Sequence, residues 1–195
     1  MSKPLAGTQT EKFLLVSFMG ESAGVQLYKL YANQARKEGY NYLANIFEDT
    51  ASMEQAHAVR LFSFLEGNPI DLQHKFTLSK VQTTIENVRS ASVGESREAE
   101  FGYPHLAKVA AEEGFPRISK TFLDLAKIEA LHALRFKNVL KLLENEAVYE
   151  MSEDTEWICM KCGFVHKGSK ALKGCPVCLE VNSFMPLDYN FYAVK

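Results

Sequence analysis

Four stretches of the chain carry apolar residues at alternating steps of four and three positions, a spacing that lines one face of an α-helix. They span residues 14–35, 43–64, 81–99 and 118–143. A repeat of this kind is typical of the seam between packed helices. The sequence therefore predicts a mainly α protein built on a four-helix bundle.

Turn and cap residues set the expected limits of three of these helices. The first is expected to begin near residues 8–10, with Thr10 as N-cap, and to end at Gly39, because glycine readily adopts the positive φ found after a helix C-terminus. The second is expected over residues 40–66 and the fourth over residues 117–146.

The third helix is expected to begin near residue 79 and to be interrupted at Pro104, since proline removes a backbone donor. A helical pattern resumes over residues 106–113. Residues 70–78 show no period and predict a crossover connection. A crossover makes the second and third helices parallel, which is the ferritin-like arrangement of a bundle.

The predicted seams contain acids where apolar residues are expected. Glu54-x-x-His57 and Glu129-x-x-His132 each place a carboxylate and an imidazole on one helix face. A single such pair is ordinarily solvated, but on a seam it is buried, and buried charges are costly unless something pairs with them. The other two seams supply three more glutamates: Glu21, Glu95 and Glu98.

The spacing of these acids repeats along the chain. Glu21 lies 33 positions before Glu54, and Glu95 lies 34 positions before Glu129, as expected of a duplicated helix pair. Two helices with a glutamate and two with Glu-x-x-His form the ligand set of di-iron and di-manganese bundles. Two iron ions would roughly neutralise the carboxylates. The seams therefore predict a di-metal site.

The cysteines predict a second metal site. Two Cys-x-x-Cys pairs, separated by twelve residues, indicate one tetrahedral four-thiolate centre. This spacing fits zinc, which would be structural, and a single iron, which would carry one electron. The spacing of the cysteines is that of a metal site rather than of a disulfide framework. It therefore indicates a reducing, cytoplasmic setting. The four predicted ligands are Cys159, Cys162, Cys175 and Cys178.

The length, composition and net charge of the chain limit the number of domains and the kinds of partner that we expect. The chain has 195 residues, 47 % hydrophobic, enough for one medium domain and one small domain. Its formal net charge of −2 gives no indication of binding to nucleic acid or to an acidic membrane. We expect no membrane span and no signal peptide, because no apolar run is long enough and the first residues are polar.

These motifs resemble those of the rubrerythrin family, and the resemblance covers nearly the whole chain. The bundle motifs are Glu21-Ser22, Glu54-x-x-His57, Gly94-Glu95 with Glu98 and Tyr103-Pro104, and Glu129-x-x-His132. The Cys-x-x-Cys-Gly and Cys-Pro-x-Cys motifs resemble the family's rubredoxin-like tail. The resemblance implies a ferritin-like di-iron bundle at residues 1–147 and a small rubredoxin-like β domain with an Fe(Cys)4 site at 157–195. Between them, the run of acidic residues from Glu144 to Glu156 indicates a solvated linker, which we place at 148–156.

The resemblance also implies a function. The expected activity is that of a non-haem di-iron peroxidase that reduces hydrogen peroxide to water in oxidative-stress defence. Electrons would arrive through the tail iron from a reductase or rubredoxin, linked to NAD(P)H. A homodimer is expected, with one subunit's tail facing its partner's bundle, because the linker makes packing of the tail on its own bundle doubtful.

Individual roles follow from the resemblance. Glu54 and Glu129 are expected to bridge the two irons. One iron is expected to move with redox state between Glu98 and His57, which makes these two the catalytic candidates. The other expected ligands are Glu21, on the same iron as Glu98, and Glu95 and His132, on the second iron. Tyr28 and Tyr103 are expected to hydrogen-bond the ligand carboxylates.

Two departures from the family pattern stand out. Residues 23–27 are apolar, except for Gln26, where the family is more polar. Leu179 stands where rubredoxin knuckles have glycine, and its Cβ disfavours positive φ. We therefore expect a strained or rotated second knuckle.

Two other functions fit parts of the pattern. A ferritin-like protein could use the same bundle to oxidise and store iron, although storage needs no thiolate centre. A bundle with a zinc tail could act as a scaffold or metal buffer without catalysis.

Overall fold

The computed structural model describes residues 3–187, so the last eight residues of the predicted tail domain, 188–195, lie outside the described part. Within it, the predicted mainly helical bundle and small C-terminal strand region are confirmed. The helices are α1 (Gln9–Lys37), α2 (Asn41–Phe62), α3 (Thr84–Arg97), α4 (Tyr103–Glu112) and α5 (Pro116–Glu144), and the strands are β1 (Glu156–Cys159), β2 (Val165–Lys167) and β3 (Phe184–Pro186).

The bundle consists of two helix pairs. Helix α1 packs along α2, while α3 and α4 together pack along α5. One end of the interior is an aromatic cluster around Tyr28, Phe47 and Phe136, and the other is an aliphatic and aromatic cluster around Leu14 and Phe122. Four of the five seam glutamates lie buried between these two apolar clusters: Glu21, Glu54, Glu95 and Glu129.

Helix α1 begins at Gln9, within the expected range, but its N-cap lies two residues before the predicted Thr10. Thr8 is the N-cap, and its side chain accepts a hydrogen bond from the backbone N–H of Glu11. The hydroxyl of Thr10 instead donates to the Glu113 carboxylate, 2.6 Å away, at the end of α4. The prediction for the other end holds, since Gly39 has a φ of 84° just after the C-cap.

The crossover is longer than expected, because α2 ends at Phe62 and α3 begins only at Thr84. The prediction that α3 starts near residue 79, with Val81 on its seam, was wrong, and Val81 is exposed in the connection. The reason is a capping box: Thr83 and Glu86 satisfy each other's backbone N–H groups and begin the helix there.

The helix is not broken at Pro104. Residues Glu98–Gly102 form a π-helical turn, in which the N–H of Tyr103 bonds to the carbonyl of Glu98. Pro104 then lies in the first turn of α4, where its missing N–H has no helical partner to lose. In place of the interruption expected at Pro104, the helix contains a π-helical turn that begins at Glu98 and changes the helical register.

The tail is a three-stranded antiparallel sheet in the order β2-β1-β3. Its core contains the fully buried Trp157, whose indole N–H donates to the carbonyl of Gly168 at 2.8 Å, and Phe184. In the described part of the chain, no helix combines the length and the apolar character that a bilayer crossing requires.

The tail contacts its own bundle, contrary to our expectation of a free, solvated linker. The ring of Tyr149 stacks on Tyr40, and its hydroxyl donates to the Gly39 carbonyl at 3.1 Å. Backbone N–H of Met151 bonds to Ser169 at 2.8 Å. The acidic side chains of the segment remain mostly exposed, but its backbone is paired with the tail.

Candidate metal centres

A first group of ligand atoms lies where α1, α2 and α5 meet. Atoms from Glu21, Glu54, His57 and Glu129 lie within 4.8 Å of one another, and all four residues are buried. The Nδ1 atom of His57 is 3.0 Å from Glu54, 3.1 Å from Glu129 and 3.6 Å from Glu21. This compactness suits a single metal ion.

A second group shares two members with the first. Ligand atoms of Glu54, Glu95, Glu129 and His132 also lie within 4.8 Å of one another. The Nδ1 atom of His132 is 2.8 Å from Glu129, 3.1 Å from Glu54 and 3.8 Å from Glu95. Because Glu54 and Glu129 belong to both groups, they lie between two adjacent candidate metal positions.

The hydrogen bonding of these atoms fits metal ions. Glu129 is fully buried, and its carboxylate oxygens make no hydrogen bond of good geometry, although the Nδ1 atoms of His132 and His57 lie 2.8 and 3.1 Å away. The same holds for Oε1 of Glu54 and Nδ1 of His132. Buried polar atoms nearly always make hydrogen bonds of good geometry, so this set of poorly bonded atoms around shared centres is what a metal pair would complete.

The pKa values of several side chains in this cluster are strongly shifted. Burial disfavours the charged imidazoles, but the adjacent carboxylates outweigh it and raise the pKa of His57 to about 12 and that of His132 to about 11. Burial also raises the pKa of Glu95 to about 7. In Glu54, the neighbouring histidines overcome burial and lower the pKa. The clustered carboxylates therefore favour positive charge at both imidazole positions.

Two tyrosines hold ligand carboxylates. The hydroxyl of Tyr28 donates a hydrogen bond to Glu95, and the hydroxyl of Tyr103 donates to Glu21. Both tyrosines are buried in the apolar clusters on either side of the site. Each therefore fixes the orientation of one carboxylate.

Glu98 is the one predicted bundle ligand that the structure leaves outside both groups. It begins the π-helical turn, and its side chain reaches solvent in the wall of a cavity. Although solvent reaches it, it is surrounded by protein, and this desolvation, with the charges of Glu95 and Glu129, raises its pKa to about 8. In this conformation His57, not Glu98, belongs to the first group.

The four predicted cysteines form the other centre. Their Sγ atoms lie within 4.8 Å of one another, with Cys159 and Cys178 3.7 Å apart and Cys162 and Cys175 3.5 Å apart. Four converging thiols fit one tetrahedral ion. Burial alone would raise the pKa of Cys159, but hydrogen bonds from Ser183 and backbone N–H groups lower it to about 6.

The second knuckle is not rotated. Leu179 has a φ of 63°, and its N–H bonds to the carbonyl of Cys175 at 2.9 Å. Gly163 in the first knuckle has a φ of 78° and makes the equivalent bond to Cys159, also at 2.9 Å. Leu179 therefore adopts the left-handed backbone conformation that glycine usually occupies. The expected strain lies in its own backbone.

Some contacts were not foreseen from the sequence. The hydroxyl of Ser183 lies 3.2 Å from Cys159 Sγ, and Met53 Sδ lies 3.3 Å from Nε2 of His132. Met53 is one position before Glu54, so helical geometry could have placed it near the site. Ser183 follows no spacing rule, because strand pairing alone brings it to the cysteines.

A bundle with a buried carboxylate–histidine cluster defines the ferritin-like class of di-metal carboxylate proteins. The rubrerythrin family model matches residues 12–140. A rubrerythrin of Porphyromonas gingivalis is 40 % identical, covering 98 % of this chain and 96 % of the relative. A rubrerythrin of Nitratidesulfovibrio vulgaris is 36 % identical, with 95 % and 97 % covered. The chain belongs to the rubrerythrin family.

A solved structure agrees with this assignment. Nigerythrin in its fully reduced, all-ferrous state superimposes with a TM-score of 0.63 at 26 % identity, covering 95 % of this chain and 90 % of that chain.

Proposed function

We propose that this protein is an oxidoreductase that reduces hydrogen peroxide to water at a di-iron site, with electrons delivered through an iron bound by the four cysteines. The observation that carries the proposal is the pairing, in one chain, of a buried carboxylate–histidine cluster with a four-thiolate centre. Iron storage has no use for a thiolate centre, and a scaffold has no use for unpaired buried carboxylates.

The proposed ligand roles rest on the two overlapping groups. Glu54 and Glu129 hold the region between the two metal positions, and each histidine completes one position. Two ferrous ions held by these residues would supply the two electrons needed to reduce peroxide. Tyr28 and Tyr103 keep Glu95 and Glu21 oriented, and the surrounding apolar clusters limit water.

Glu98 and His57 are proposed to exchange at one position. The arrangement with His57 inside and Glu98 outside suits ferrous iron, which accepts a neutral imidazole. An anionic carboxylate suits the more highly charged ferric ion. The π-helical turn at Glu98 supports this proposal, since such turns locally loosen a helix and occur often at functional sites.

Electron delivery is proposed to occur between subunits of a homodimer. The tail contacts its own bundle near Asn45, whose amide donates to Met160 Sδ at 3.0 Å. Asn45 precedes Glu54 by nine residues, or about 14 Å along α2, so a chain's own cysteines lie well away from its own metal pair. We therefore propose that a partner's tail, rather than the chain's own, delivers electrons to the metal pair.

The wider setting is also part of the proposal. A reductase or rubredoxin, supplied from NAD(P)H, would reduce the tail iron, and the reaction would serve oxidative-stress defence in the cytoplasm. We retain the domain limits 1–147, 148–156 and 157–195 as a working division. The contacts of Tyr149 hold the tail against the bundle.

Rapid mixing tests the activity. Iron-loaded protein, reduced under anaerobic conditions, is mixed with hydrogen peroxide or with oxygen, and oxidation of the bundle iron is followed by absorbance. We expect peroxide to react at least about tenfold faster than oxygen. Faster reaction with oxygen, with ferric iron retained as a mineral, would favour storage instead. Metal-free protein serves as the control.

A further inference from the structure

A cavity of about 940 Å³ opens between α1, α3 and the crossover connection. Glu21 and Glu95 lie in its wall together with the tyrosines that hold them, Tyr28 and Tyr103. Glu98 also lines it and is reached by solvent. The cavity therefore connects solvent with the edge of the carboxylate cluster.

Glycines make this opening possible. Gly20 on α1 and Gly94 on α3 both line the cavity and are both exposed. A Cβ atom added to either would meet no neighbouring atom within 4 Å. The two helices therefore border open space where larger side chains would fill it.

Part of the wall around the opening is apolar, while Lys75, Arg89 and Arg97 place charged side chains elsewhere in the same lining. Ala23 and Leu27 line it from α1, in the stretch that departs from the family pattern. Phe76 and Leu78 line it from the crossover connection. An apolar wall beside a carboxylate floor suits a small molecule with an alkyl group and a polar end.

A second observation indicates a polar guest. The side chain of Tyr31 is fully buried and lines the same cavity, and its hydroxyl lies near Ser79 of the connection without a hydrogen bond of good geometry to any described residue. Buried hydroxyls are ordinarily paired with protein or with an ordered small molecule. The cavity thus offers an unused hydrogen-bonding group besides its apolar surface.

We propose that this cavity is the route by which peroxide reaches the metal pair, and that its apolar wall admits short-chain alkyl hydroperoxides as well as hydrogen peroxide. The inference rests on the proposed peroxidase function. In the reaction the O–O bond of R–O–O–H breaks, and the products are R–OH and water. Two electrons come from the reduced metal pair and two protons come from solvent in the cavity.

Leucines at the two glycines test the route. Gly20→Leu and Gly94→Leu, alone and combined, add volume at the opening, where an added Cβ atom meets no neighbour within 4 Å, and they raise helix propensity. Ala111→Leu on the exposed face of α4 is the matched control, since it adds similar volume outside the cavity. Phe76→Ala widens the opening from the connection.

The readout is oxidation of reduced, iron-loaded protein by hydrogen peroxide, tert-butyl hydroperoxide and cumene hydroperoxide. We expect the double leucine variant to react with tert-butyl hydroperoxide at least about tenfold more slowly than the control, with a smaller loss for hydrogen peroxide. Ferricyanide, which need not enter, should oxidise both equally. Phe76→Ala should react faster than wild type with cumene hydroperoxide.

A binding measurement needs no turnover. In the oxidised protein, the methyl proton signal of tert-butanol should broaden with wild type and Ala111→Leu, and less with the double variant. Equal broadening and equal peroxide rates in the double variant and the control would overturn the proposal. If the double variant does not load iron, an unchanged cumene hydroperoxide rate in Phe76→Ala overturns it.

The failure of this inference is distinct from the failure of the proposed function. Iron-loaded wild type that does not react with hydrogen peroxide refutes the peroxidase function. Wild type that reacts with hydrogen peroxide but not with tert-butyl hydroperoxide refutes only the inferred substrate class.

Discussion

Nδ1 of His57 lies 3.1 Å from Oε1 of Glu129, inside the cluster that Glu98 does not enter. Both residues could serve the same metal position, but the structure holds only the histidine there. The proposed function makes this the arrangement of the reduced state. Which of His57 and Glu98 binds the metal in each redox state can be tested directly.

The first test is structural. Crystals of the reduced, iron-loaded protein should show His57 about 2.1 Å from iron, an ordinary metal–nitrogen distance, with Glu98 unbound. Oxidised crystals should show the reverse. His57→Ala should still bind two ferric ions, because Glu98 serves that state. A reduced structure with Glu98 bound and His57 remote would refute the exchange.

Metal loading should release protons. In the metal-free protein the raised pKa values of His57, about 12, and His132, about 11, keep both imidazoles protonated at neutral pH. Because a metal ligand must be deprotonated, loading at pH 7 should release at least about two protons per chain. Apparent affinity should therefore fall as pH falls.

Calorimetry measures this release. Titrations of ferrous iron into the metal-free protein, in buffers of different ionisation enthalpy, give the number of protons exchanged. The Cys175→Ser variant isolates the bundle site from the thiolate site. Binding that exchanges no protons would contradict the charge balance proposed for the cluster.

Leu179 should cost the tail stability. Leucine at a φ of 63° is disfavoured by about 1 kcal/mol, and its side chain is 81 % exposed, so packing within the chain offsets little of this cost. Leu179→Gly should therefore slow the loss of tail metal to a chelator. Leu179→Ala is the matched control, because it keeps the Cβ and should gain little. Equal rates in the two variants would show that no strain is relieved.

Electron delivery between subunits predicts a specific mixed dimer. One subunit carries Cys175→Ser and the other carries Glu54→Ala, so one intact tail faces one intact bundle across the interface. Because one of two routes remains, about half of wild-type steady-state activity should survive. An inactive heterodimer, with metals confirmed at both intact sites, would indicate delivery within a chain.

Much of the architecture could be predicted because buried helix faces are periodic. Glu54 and Glu129 interrupt their apolar seams, so their burial followed from helical geometry alone. The four cysteines could also be predicted as metal ligands, because two closely spaced pairs supply the four ligands of a tetrahedral ion. In both cases local spacing carried the information.

Other features depend on contacts between distant segments. The π-helical turn that begins at Glu98 changes the direction of that side chain, and straight helical spacing does not reveal it. Docking of the tail depends on Tyr149 meeting Tyr40, which are far apart in sequence. The start of α3 did have a local signal, the capping box of Thr83 and Glu86, which the periodicity of Val81 and Ile85 obscured.

The central claim is that peroxide reduction at the bundle draws electrons from the tail. The most direct measurement follows the tail's thiolate-to-iron absorbance after fully reduced, iron-loaded protein is mixed with excess hydrogen peroxide. The account predicts rapid return of the colour in wild type and at least about tenfold slower return in Glu54→Ala with its tail iron intact. Equal rates in the two proteins would contradict it, because the tail iron would then be reacting with peroxide on its own.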